Sequence, residues 1–95
     1  MNYQKVYNQI IERAQRRQLK GYNEKHHIIP KCIGGTNNKD NIVKLTAREH
    51  FLCHLLLVEI YPNEPKLKYA LWLMSIGKQN IKKLIIKLAI EPMNV

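Results

Sequence analysis

Apolar residues near the start of the chain recur at helical spacing: Tyr3, Val6, Tyr7, Ile10, Ile11, Ala14 and Leu19 predict an amphipathic helix over 3–19, stopped by Gly21. The period then changes. "EKHHIIP" (24–30) is short, β-branched and closed by Pro30, which predicts a strand, and "IVKL" (42–45) predicts a second. The turn-rich "KCIGGTNNKDN" between them makes a long-looped hairpin, in which Gly34 and Gly35 are expected to supply positive φ. From Thr46 the helical period returns. Thr46 and Glu49 form a T-x-x-E capping box ahead of an apolar run, predicting a helix to Ile60 that "YPNEP" ends. A further helix opens at Pro65 and stops at Gly77, with Leu67, Ala70, Leu71, Leu73 and Met74 available for packing. Tyr69 and Trp72 are read as packing residues of that helix rather than base-stacking ones. Phe51, Leu52, Leu55 and Leu56 are read as core, with Ile28, Ile29, Ile42, Val43 and Leu45 packing the hairpin against the helix.

Ninety-five residues suffice for one domain and leave no room for a separately folded recognition module, so the expectation is a single α+β domain over 1–95. Charge adds a partner. Sixteen Lys and Arg against seven Asp and Glu give net +9, which favours a polyanion, with nucleic acid ahead of an acidic membrane surface. Arg13, Arg16, Arg17 and Lys20 cluster at the end of the first predicted helix, suited both to its C-terminal dipole and to a phosphate backbone. Lys31, Lys39, Lys44 and Arg48 flank the histidine-bearing segments and are further phosphate-binding candidates. No apolar run reaches membrane-spanning length and the N-terminus lacks a signal-peptide core, so a cytoplasmic chain without a membrane partner is expected. Cys32 and Cys53 lie far apart without C-x-x-C spacing, which indicates ordinary thiols rather than a disulfide framework or zinc ribbon.

The four histidines carry the chemistry. His50 and His54 stand four positions apart on a predicted helix, so their rings share one face about one turn apart. Such a pair chelates a transition ion, and a third ligand from elsewhere would hold it with an open coordination position. "HH" in the first strand can supply that ligand. Adjacent strand residues point to opposite faces, so a regular strand aims only one of His26 and His27 at the ion and leaves the other unliganded. A free imidazole beside a scissile phosphate is a suitable general base near neutral pH.

"E-x-H-H-I-I-P", the Gly-Gly loop, "D-N-I-V-x-L-T" and "E-H-x-x-x-H" together resemble the HNH endonuclease family, over about 24–57. The spacing is similar to that of colicin-type DNase toxins, and the surrounding wording looks closer to small phage-encoded HNH proteins of the homing-endonuclease kind. The resemblance implies a ββα-metal motif, here with an N-terminal amphipathic helix and a C-terminal helix. It implies His26, His50 and His54 as ligands of one divalent ion, with His27 as general base. Asn41 is implied to pin the hairpin loop by side-chain hydrogen bonds, and Glu24 to hydrogen-bond a metal-bound histidine. Arg48 is a candidate for phosphate binding or leaving-group assistance.

The expected activity is metal-dependent hydrolysis of DNA, leaving 5′-phosphate and 3′-hydroxyl ends, with low sequence specificity. Three neutral imidazoles favour zinc or nickel, whereas phosphodiester cleavage commonly runs on magnesium or manganese, and no small-molecule cofactor is expected. The competing expectations are a metal-stabilised, non-catalytic nucleic-acid-binding module and a truncated, degenerate nuclease. For a phage-encoded enzyme the compartment would be the host cytoplasm. The sequence sets no target site and no oligomeric state. The resemblance also implies a basic segment like "K-I-S-x-R-T-Y-E-R" after the last helix, where this chain reads "KLAIEPMNV". Written in A/T-rich codons, AAA TTA GCA ATA GAA CCT ATG AAC GTT yields "ISNRTYER" from its third base, so 81–95 is expected to be an out-of-frame tail.

Overall fold

The computed structural model describes residues 1–76. The elements run α1 (Tyr3–Gln15), β1 (Glu24–His27), two single 3₁₀ turns (Lys31–Ile33 and Lys39–Asn41), β2 (Ile42–Leu45), α2 (Ala47–Ile60) and α3 (Pro65–Ile76). Three helices and a two-stranded antiparallel sheet make a small α+β domain, compatible with a ββα arrangement over β1, β2 and α2. The predicted stop at Gly77 and the out-of-frame reading of 81–95 lie outside the described residues.

α1 begins where Asn2 accepts a hydrogen bond from the Lys5 amide on its side-chain oxygen, and it ends at Gln15, four residues short of the periodicity estimate. The chain leaves the helix there, and Arg17 forms a forked ion pair with Glu49 in the first turn of α2. α2 starts on the expected capping box, with Thr46 Oγ1 accepting from the Glu49 amide at 3.1 Å and Glu49 accepting from the Thr46 amide at 2.9 Å.

The hairpin register pairs Glu24 with Leu45, Lys25 with Lys44, His26 with Val43 and His27 with Ile42. Alternation along the strands sends His26, Val43 and Leu45 inward, towards a core of Tyr7, Ile10, Ile11, Ala14, Leu56, Leu57 and Leu67. Phe51 and Cys53 of α2 are fully buried, and burial pushes the Cys53 thiol up to about 12. Cys32 is half-buried, and neither cysteine is in a disulfide.

Three expectations need correction. Only Gly34 of the loop pair has positive φ (99°). Gly35 is required for space instead, because a Cβ there would stand 1.7 Å from the Ile29 carbonyl oxygen. Tyr69 and Trp72 are not packed into the core: both are exposed and stack on each other at 5.9 Å, while Leu67 of α3 is buried. Ile29 is likewise exposed, because its place beyond the end of β1 takes it out of the inward alternation.

Candidate metal and nucleic-acid site

Three of the four histidines converge. His26 arrives from the inner face of β1, and His50 and His54 come from one face of α2, with ring centroids 4.9 to 5.3 Å apart in all three pairs. One nitrogen from each ring lies within 4.8 Å of the others, a spread that a single metal ion can bridge. His26 is 2% exposed. Burial, then the neighbouring His54, His50 and His27 rings, push its imidazole down to about 3; burial and His50 push His54 down to about 4. Both rings are therefore neutral at physiological pH, the form a metal ligand requires.

Their hydrogen bonds fit the same purpose. His50 Nδ1 pairs with Glu24 Oε1 at 2.8 Å; a carboxylate only accepts, so Nδ1 carries a proton, and in a neutral ring that leaves the lone pair on Nε2. Glu24 in turn accepts from the Tyr22 hydroxyl. His26 Nε2 lies 2.7 Å from the Tyr7 hydroxyl. His54 Nδ1 is buried and has no hydrogen-bond partner. Buried polar atoms are normally satisfied, so an orphaned imidazole nitrogen in a three-imidazole pocket fits a site made for a cation.

His27 points the other way. It sits on the outer face of the hairpin, half-buried, with Nε2 2.8 Å from Asn37 Oδ1, so that Nδ1 is left to accept a proton. Asn41 fastens the loop that carries Asn37. Its Oδ1 accepts from the Ile29 amide (2.8 Å), and its Nδ2 donates to the carbonyls of Ile29 (3.0 Å) and Thr36 (2.8 Å). The buried amide thus joins both ends of the hairpin loop, and residue 37 follows directly from the clamped Thr36.

Some of the basic candidates border shared depressions: Arg17 lines one with Arg13 and Arg16 and another with Lys39 and Lys44. Arg13 and Arg16 are exposed at the end of α1, lining a shallow depression with Gln9, Glu12 and Arg17. Arg17 is half-buried against Glu49, whose carboxyl is held down to about 2, chiefly by the Arg17 hydrogen bonds. Its guanidinium is thereby engaged within the fold. Lys20, Lys31, Lys39 and Arg48 are exposed. Lys44 shares the outer face of the hairpin with His27 and stands opposite Lys25, a residue that charge counting alone did not single out. Tyr7 and Asn37 are the other contributors missed from the sequence. Tyr7 reads as one more apolar position of an amphipathic helix, and Asn37 as one of several polar loop residues.

With this geometry in place, comparison with known proteins adds a functional context. The chain is 60% identical over 63 residues to probable mobile endonuclease E of Enterobacteria phage T4, an overlap covering 65% of this chain and 45% of that protein. It is 54% identical over 77 residues to probable mobile endonuclease D (76% of this chain, 30% of that protein) and 49% identical over 79 residues to probable mobile endonuclease B (78% and 30%), both from the same phage. The chain therefore spans less than half the length of these curated relatives. No family model matches it, and no solved structure matches it. Among the described residues, no helix is long and apolar enough to cross a membrane.

Proposed function

We propose that this domain is the catalytic unit of an HNH-type endonuclease that hydrolyses DNA with the help of one divalent ion. The observation that carries the reading is the division of the histidines: three imidazoles gathered within 4.8 Å, and the fourth outside them, hydrogen-bonded to Asn37. A closed four-histidine site would have favoured a purely structural ion instead. Similarity to phage proteins named as probable mobile endonucleases supports the same reading from an independent direction.

On this reading His26, His50 and His54 hold the ion, and Glu24 orients His50. When bound, a divalent ion supplies Lewis-acid stabilisation of the charge that develops on the phosphate and on the leaving oxygen. His27 takes the proton of the attacking water at Nδ1 while Nε2 stays anchored to Asn37. The new P–O bond forms as the bond to the 3′ oxygen breaks, and that oxygen takes a proton from solvent water, leaving 5′-phosphate and 3′-hydroxyl ends. Asn41 keeps Asn37, and through it His27, in register with the hairpin. On this reading Arg48, Lys31 and Lys44 meet phosphates near the site, with Arg13, Arg16 and Lys20 adding attraction along the duplex. Arg17 contributes through the fold, by its ion pair with Glu49.

A plasmid-nicking assay with zinc, nickel, magnesium and manganese in turn, run beside His27→Ala, tests this. Metal-dependent nicking by the wild type that the substitution removes is the expected result. Absence of nicking with every ion would refute the catalytic reading.

A further inference from the structure

The hydroxyl of Tyr7 occupies a position that helix periodicity does not explain. Tyr7 is 3% exposed and lies in the middle of α1, 19 residues before His26. Its oxygen lies 2.7 Å from His26 Nε2 and 2.7 Å from the Ile28 carbonyl oxygen. A phenol has one proton to give. The Ile28 carbonyl can only accept, so the Tyr7 proton goes to it; otherwise two acceptor oxygens would face each other at 2.7 Å in a buried setting. The hydroxyl's remaining role towards His26 is acceptor, which places a proton on Nε2. In a neutral ring Nδ1 then carries the lone pair.

We propose that Tyr7 is a positioning residue of the metal site: by accepting from His26 Nε2–H and donating to the Ile28 carbonyl, it fixes the tautomer in which His26 offers Nδ1 to the ion. This rests on the metal-binding reading above and extends it to α1. Glu24 of β1 does for His50 what Tyr7 does for His26, so two of the three candidate ligands have an outer hydrogen-bond partner, and the partner of His26 comes from α1, outside the elements of a ββα motif. Burial raises the Tyr7 hydroxyl well above its usual range, so it remains a neutral phenol able to hold both bonds. The ring also buries its apolar body among Ile10, Ile11 and the β2 side chains, which locks the hydroxyl in place.

The test uses the full 95-residue chain in three forms: wild type, Tyr7→Phe, and Ile10→Val as a core variant that lowers stability without touching a polar group. Long-range proton–nitrogen NMR on the metal-free proteins reads which His26 nitrogen is protonated, and zinc titration by calorimetry reads affinity. Wild type should show Nε2–H alone. Tyr7→Phe should lose that single tautomer and bind zinc about 10–100-fold more weakly, the range found when an outer hydrogen-bond partner of a metal ligand is removed. Ile10→Val should match the wild type in both readings. A wild-type proton on Nδ1 overturns the proposal even if Tyr7→Phe fails to fold, and so does unchanged zinc affinity in Tyr7→Phe or an equal loss in Ile10→Val. None of these readings involves DNA, so a protein that binds zinc as expected but does not cut would count against the nuclease reading and leave the role of Tyr7 standing.

Discussion

His26 and His27 are successive residues of one strand, and the structure gives them opposite surroundings. His26 faces inward, pairs across the hairpin with the buried Val43, and meets Tyr7, His50 and His54. His27 faces outward, pairs with the half-buried Ile42, and meets a side chain of the polar loop. Nothing in the residue type distinguishes them. The two-residue period of a strand does, because one step along β1 exchanges a desolvated pocket beside α2 for the hairpin's outer face. The inner ring is pushed towards neutrality and gathered with two others, which suits a ligand. The outer ring keeps water access and one anchored nitrogen, which suits a base.

The largest effect should come from the outer member. His27→Ala is expected to lower cleavage by about 10²–10⁴-fold, the usual contribution of a positioned general base, in a nicking time course at fixed metal. On the inner side, ion removal should act on the fold itself. With metal at 100 times its dissociation constant, binding to the folded state alone adds about 2.7 kcal/mol, so chelator should lower the melting temperature of the wild type and have little effect on His54→Ala. Glu24→Ala should weaken zinc binding by about 10–100-fold in calorimetry by freeing the His50 ring.

The smallest effect concerns the outer face again. Lys25 and Lys44 are direct cross-strand neighbours of like charge, an arrangement that costs hairpin stability and that a phosphate backbone would relieve. Lys44→Met should reduce the slope of log affinity for duplex DNA against log salt by about 0.9, and Lys25→Met by a similar amount. Neither should lower the melting temperature. Loss of stability without a change in slope would mean that the pair belongs to the fold and not to the interface.

What was legible in the sequence follows a physical division. His50 and His54 at one helical turn, the Thr46–Glu49 capping box and the β-branched strands are local, and local periodicity and hydrogen bonding settle them within a few residues. Tyr7, Asn37 and the Arg17–Glu49 pair are contacts across 19, 10 and 32 positions, and they exist only once α1 has docked and the loop has closed. α1 ends at Gln15 although the apolar spacing runs on to Leu19, and Arg17, just past that end, has a partner on another element, which periodicity cannot register. The same holds for Gly35, whose need for a missing Cβ comes from the Ile29 carbonyl six residues earlier in the chain. Trp72 and Tyr69 mark the opposite failure, apolar character without burial. Surface aromatics look the same as core aromatics when spacing alone is read.

The central claim is that His26 binds metal and His27 does not. Zinc titration of His26→Ala and His27→Ala, side by side with the wild type and in the absence of DNA, tests it most directly. The structure predicts that His26→Ala loses most of the affinity, leaving only the His50 and His54 pair, while His27→Ala binds one zinc ion as tightly as the wild type. If His27→Ala loses affinity to the same extent as His26→Ala, the two faces of the hairpin do not divide ligand from base, and the account is contradicted.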